Sequence, residues 1–131
     1  RATWTRNRSD RVISGTTGFK YATMTMEDDV VAQCEQSLKN IEAALVQAGA
    51  GFDDVVRVHY LVTQAEDFEK CWPVVGKAFG AVRPAIVVMV VGLTDPRMKI
   101  EIEVTALRRG ESSPRKRAPR KKKAKPAKRK K

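Results

Sequence analysis

Hydrophobic and polar positions in this chain fall first into strand and helix periods and, past residue 110, into no period at all. The strongest block is residues 85–93, an unbroken apolar run rich in β-branched side chains. It is too short for a core helix and suits a strand buried on both faces. Residues 94–97, Thr-Asp-Pro-Arg, read as a turn. Residues 98–107 then alternate, with Met98, Ile100, Ile102 and Val104 on one face and Lys99, Glu101, Glu103 and Thr105 on the other. Two strands joined by a turn read as a hairpin. Its first member lacks a polar face, so both sides need cover: helices of the chain on one, a second subunit on the other.

Upstream, residues 1–10 are polar and aperiodic, with Trp4 as the apolar anchor. A short strand is expected at 11–15, a turn at 16–18 and a second short strand near 19–23. A helix follows, with Thr25 as cap, Glu27, Asp28 and Asp29 in its first turn, and Val31, Cys34, Leu38, Ile41, Leu45 and Ala48 repeating at steps of three and four until Gly49. Residues 55–62 form a strand with Val56, Val58, Tyr60 and Val62 on one face and Arg57, His59 and Leu61 on the other. Residues 66–79 read as a second helix with Phe68, Cys71, Trp72, Val75 and Phe79 inward. Pro73 should kink or break it, since proline removes a backbone donor and clashes with the preceding turn. The order β-β-α-β-α-β-β implies a two-layer α+β domain, a mixed sheet with both helices on one face. Its other face stays apolar and uncovered in a monomer, which favours a closed ring of subunits.

Charge divides the 131 residues in two. Residues 1–110 carry 14 Lys+Arg against 14 Asp+Glu, whereas 111–131 hold 12 Lys+Arg against Glu111 alone, so the formal charge of +11 belongs to the end of the chain. Ser112-Ser113-Pro114 marks the boundary. Beyond it the residues lack any large apolar side chain and are expected to be disordered. Arg115, Lys116, Arg117, Arg120, Lys121, Lys122, Lys123, Lys125, Lys128, Arg129, Lys130 and Lys131 suit phosphate contacts without sequence readout, so nucleic acid is a candidate partner. The run 121–125 also resembles a nuclear import signal, making an import receptor a second candidate partner and a nuclear destination relevant in a eukaryote. The alternative is a solvated tail that serves solubility alone.

Cys34 and Cys71 lie inside apolar helical patterns without zinc or redox spacing, and reduced buried thiols in an intracellular, cytoplasmic protein are the favoured reading. No metal or cofactor is expected. No stretch reaches the roughly 20 apolar residues that span a bilayer, so no membrane association is expected. His59, the one histidine, has no Ser, Cys or Asp constellation beside it and reads as a solvent-side or interface residue.

Ser14-Gly15, the helix end at 40–49, the following 54–58, Asp67-Phe68, Arg83-Pro84-Ala85 and Lys99-Ile100-Glu101-Ile102-Glu103 together resemble the Rid family, also called YjgF, the reactive-intermediate deaminases. The resemblance spans residues 11–109. It implies a chorismate-mutase-like fold, a homotrimer whose sheets form a central barrel, and small-molecule clefts at subunit interfaces. It also implies an arginine directly after Pro-Ala that holds the carboxylate of a 2-imino acid while water attacks the imine carbon. Here Ile86 stands after Pro84-Ala85. A family asparagine falls on Trp72, the water-associated glutamate on Glu101, and the Ser-Gly pair on Ser14 and Gly15.

Glu101 is therefore the candidate catalytic base, and Ser14, Gly15, Trp72, Ile86 and Val88 the candidate ligand cleft. Arg83, three residues before Ile86, would point to the opposite face of an extended strand and so away from the cleft. The expected protein is a homotrimer of a 1–110 Rid-like domain with a 111–131 basic tail, binding a less polar ligand with weak, altered or absent deaminase (hydrolase) activity. The rival is a non-catalytic scaffold on nucleic acid or chromatin. Chorismate-mutase chemistry ranks below both, because it rests on fold analogy and lacks a cationic cluster.

Overall fold

In the computed structural model, which describes residues 4–7 and 10–108, the elements run β1 (Trp4–Asn7), β2 (Asp10–Thr17), α1 (Val30–Gln47), a 3-10 turn (Phe52–Asp54), β3 (Val55–Val62), α2 (Ala65–Phe79), β4 (Ala85–Val90) and β5 (Ile100–Leu107). The side chain of Trp4 and the basic tail lie outside the described residues. The five strands form one mixed sheet in the order β1-β2-β5-β3-β4, with β3 and β4 parallel and every other pair antiparallel. The order β-β-α-β-α-β-β stands, and the strand expected at 11–15 lies within β2, but the one expected near 19–23 does not form. Residues 19–23 turn instead, closed by a Lys20–Thr25 bridge with Met24 at φ 53°. Residues 4–7 supply the missing strand at the sheet edge, where backbone pairing on one side suffices and no apolar alternation is required.

Alternation in β5 decides which face is covered. Ile100, Ile102, Val104 and Ala106 are buried with Val58, Tyr60 and Val62 of β3 and Ile13 of β2, beneath Cys34, Leu38, Ile41 and Leu45 of α1 and Cys71, Val75 and Phe79 of α2. Full burial of each such aliphatic side chain contributes about 1.5–3 kcal/mol, which makes this helix–sheet interface the main source of stability. A bulge between Val55 and Arg57 puts Val55 in the core and leaves Val56 exposed, against the simple alternation.

The expected hairpin does not form. β3 lies between β4 and β5 and pairs with both. The α2 crossover carries the chain past β3 to its outer side, so β4 becomes the sheet edge and residues 91–99 span back to β5 as a loop. Nor is the apolar strand buried on both faces, since all six residues of β4 are exposed in the single chain.

Helix α1 begins later than its acidic residues suggested. Asp29 is its cap, the carboxylate accepting from the Ala32 N–H at 2.9 Å, so Glu27 and Asp28 precede the helix and Glu27 pairs with Lys20. Gly49 at φ 73° ends it as expected. Helix α2 passes through Pro73 without a break, and the residues flanking the proline, Trp72 and Val74, stay helical. Trp72, expected inward, is 54% exposed, because the buried positions 67, 71, 75 and 79 repeat every four residues and leave it to one side.

Candidate functional site

The last turns of α2 and the start of β4 bound a cavity of about 230 Å3. Buried Tyr60, Val75 and Phe79 line it together with exposed Trp72, Ile86 and Arg83. Tyr60, Phe68 and Trp72 form an aromatic ladder towards it, with ring centroids 5.0 and 5.6 Å apart. The Tyr60 hydroxyl is buried and has no hydrogen-bond partner among the described residues. Burial raises its pKa above that of an ordinary tyrosine, with a smaller push from Cys34, so the phenol keeps its proton at neutral pH.

Arg83 contradicts the expectation that it faces away. The parity argument assumed an extended strand from residue 83 onward, but β4 starts at Ala85 and Arg83 sits at φ 52° in the left-handed region. Its amide donates to the Phe79 carbonyl at 3.0 Å, which closes the turn after α2 and brings the residue round to the cavity that Ile86 also lines. Val88 stands two residues beyond Ile86, opposite Tyr60 in the β3–β4 register, so it shares the cavity's side of the sheet without lining the cavity.

Ser14, Gly15 and Glu101 form a second group. A register shift between Ile13 and Thr16 bulges β2 at Ser14 and Gly15, directly against β5. A Cβ on Gly15 would lie 1.7 Å from Glu101 Oε1, so the bare backbone there is what makes room for the carboxylate. Glu101 lies between buried Ile100 and Ile102 and therefore faces away from the helices, as do Glu103 and His59. His59 Nδ1 is 3.6 Å from Glu103, and Arg57 Nε donates to His59 Nε2 at 2.6 Å, a polar cluster on the uncovered face. Within one chain the two groups thus occupy opposite faces of the sheet.

Buried Arg11 and Gln33 are among the residues that escaped the sequence reading. Arg11 Nε donates to the Ala48 carbonyl at 2.8 Å, placing a cation at the C-terminal end of α1. Gln33 donates to the Glu27 and Arg97 carbonyls at 2.7 and 2.9 Å and accepts from the Lys99 N–H at 2.9 Å, tying the loops on either side of α1 together. Cys34 and Cys71 are free and buried; the Cys71 thiol donates to the Val30 carbonyl at 3.7 Å, and the neighbouring Cys71 thiol, with burial, holds the Cys34 pKa up. Among the described residues no group of three or more His, Cys, Asp or Glu is placed to hold a metal ion. No described helix is long and apolar enough to cross a membrane.

A family profile described as Endoribonuclease L-PSP matches residues 6–108. Protein DfrA of Myxococcus xanthus is 34% identical over 96 residues, 72% of this chain and 73% of that protein. A member of the YjgF/YER057c/UK114 family from Mycobacterium tuberculosis superposes with a TM-score of 0.68 at 36% identity, covering 79% of this chain and 83% of that one. The YjgF gene product of E. coli superposes with a TM-score of 0.72 at 28% identity, covering 81% and 86%.

Proposed function

This chain belongs to the endoribonuclease L-PSP family, the Rid/YjgF group, and from that membership we propose that it is a homotrimer with small-molecule clefts between subunits and weak, altered or absent 2-imino acid deaminase activity. The observation that carries this reading is the environment of Ile86. It lines the cavity, the resemblance matches it to the carboxylate-holding arginine of the family's active branch, and the wall around it is apolar apart from the Tyr60 hydroxyl and Arg83. The exposed apolar strand β4 supports association, because six exposed edge residues would be covered by a neighbour. In such a trimer the uncovered face of one subunit, with Ser14, Gly15 and Glu101, meets the β4 edge of the next, with Trp72, Ile86 and Val88. Two half-sites on opposite faces then become one cleft, with Glu101 as the base that activates water.

Hydrolysis of 2-iminopropionate tests this, comparing the natural protein with Ile86→Arg and with Ile86→Arg/Glu101→Gln, each confirmed trimeric by sedimentation. The expected result is near-background turnover in the natural protein, a gain in Ile86→Arg, and its loss by about 100-fold or more when Glu101 is also replaced. Full activity in the natural protein, or none in a trimeric Ile86→Arg, overturns the reading.

A second reading is favoured by the charge partition. With residues 1–110 formally neutral and the entire +11 excess in 111–131, the appended basic segment would hold the trimer on nucleic acid through phosphate contacts.

A further inference from the structure

The wall of the cavity is apolar apart from two groups, and both lack a partner among the described residues. The Tyr60 hydroxyl is a buried phenol without an acceptor. The Arg83 guanidinium makes no hydrogen bond or ion pair among the described residues, unlike Arg57, Arg97 and Lys70, which are each engaged. Arg83 also borders a neighbouring depression with Asp53 and Asp54, yet forms an ion pair with neither.

Arg83 is also held in an unfavourable conformation. A non-glycine residue at φ 52° is uncommon, and a residue before proline is restricted further because the ring of Pro84 crowds its backbone. Strain of this kind persists where the surroundings enforce it, often at ligand sites. Here the enforcing contacts are the Val82 and Arg83 amides on the Phe79 carbonyl, both at 3.0 Å. They fix the Cα of Arg83 at the end of the cavity bounded by Pro84 and Ile86.

We infer that the cavity takes an aromatic carboxylate, its ring between Trp72, Phe79 and Ile86 and its carboxylate held by Arg83, which makes Arg83 a specificity-determining residue. An apolar cavity of about 150 Å3 accommodates benzene, so about 230 Å3 leaves room for a ring and a short acidic arm. A planar guanidinium meets a carboxylate with two parallel hydrogen bonds, and a single cation balances a monoanion better than a phosphate dianion. Exposed Trp72 would close over the ring face and gain from its burial. The inference rests on the cleft reading above and adds what the cleft selects. It also accounts for how a site with isoleucine at position 86 retains an anion holder, entering from the turn before β4 instead of from the strand.

The test is calorimetric titration of the full chain with phenylacetate and with its neutral analogue 2-phenylethanol, repeated on Arg83→Gln and Arg83→Lys. Thermal denaturation controls for folding. The expected outcome is that phenylacetate binds the natural protein more tightly than the alcohol, loses about tenfold or more in Arg83→Gln, and partly recovers in Arg83→Lys, while the alcohol is indifferent to both substitutions. Equal loss of both ligands in a folded Arg83→Gln would make the residue structural and overturn the inference. If the alcohol binds and phenylacetate does not, the cleft reading survives and the anion selectivity falls. If neither binds the natural protein, the cleft reading itself fails.

Discussion

At the residue scale, the structure turns on polar side chains that sit where the pattern asked for apolar ones. Gln33 occupies a helix position on the buried side of α1 and satisfies two carbonyls and one amide from loops that approach from different directions. Replacing it with leucine keeps the volume and removes all three bonds, leaving buried backbone groups unpaired at about 1–3 kcal/mol each before relaxation. Gln33→Leu is expected to lower unfolding free energy by about 2–4 kcal/mol in urea denaturation, and a change within 0.5 kcal/mol would show that water replaces the lost bonds. The helical period around Gln33 was visible in the sequence, but its partners are not, because Arg97 and Lys99 are more than 60 residues away. Arg83 teaches the converse. Parity along an extended chain assigned it a direction, and one left-handed residue ahead of the strand reversed it.

At the element scale, the sequence and environment of β4 disagree within the single chain. Six apolar residues at an exposed edge combine a large apolar patch with unpaired backbone groups, a state that soluble proteins otherwise blunt with charge or proline. Val87 and Met89 lie opposite His59 and Leu61 in the register and so belong to the uncovered face, whereas Ile86 and Val88 belong to the cavity side. Val87→Glu/Met89→Glu is therefore expected to convert a trimer to monomers in sedimentation velocity while leaving the helix–sheet core folded. Val46→Glu on the exposed face of α1 is the matching control and should change nothing. A natural protein that sediments as a monomer at tens of micromolar would dismiss the trimer, and with it the joining of the two half-sites. The strand's apolar character was legible from residues 85–93. Its place was not, because the α2 crossover inserts β3 between the two strands that the intervening turn appeared to join.

At the scale of the whole molecule, charge and fold separate. The described core is helix on sheet, and the excess positive charge lies beyond it in sequence, so the two can be tested apart. Removing residues 111–131 is expected to leave thermal stability and any turnover unchanged. It should also abolish nucleic-acid affinity whose logarithm falls steeply with the logarithm of salt concentration, the signature of counterion release. Three tails on one trimer would strengthen weak phosphate contacts by raising their effective concentration, so the full chain should bind far more tightly than the isolated peptide. Affinity that survives truncation would place the contact on residues 1–110 instead.

The sequence by itself determined the fold class, the element order, the buried face of β5, the stop of α1 at Gly49 and the partition of charge. Each of these follows from local periodicity or composition, which a chain carries wherever it folds. Through resemblance it also put forward Ser14, Gly15, Glu101 and Ile86 as candidate site positions. Only the tertiary structure decided that β4 is an edge, that Glu101 and Ile86 lie on opposite faces, and that Arg83 lines the cavity with Ile86. These are relations between residues distant in sequence or separated by a backbone reversal. A crossover, a bulge and one positive φ set them, and none of the three leaves a period to read.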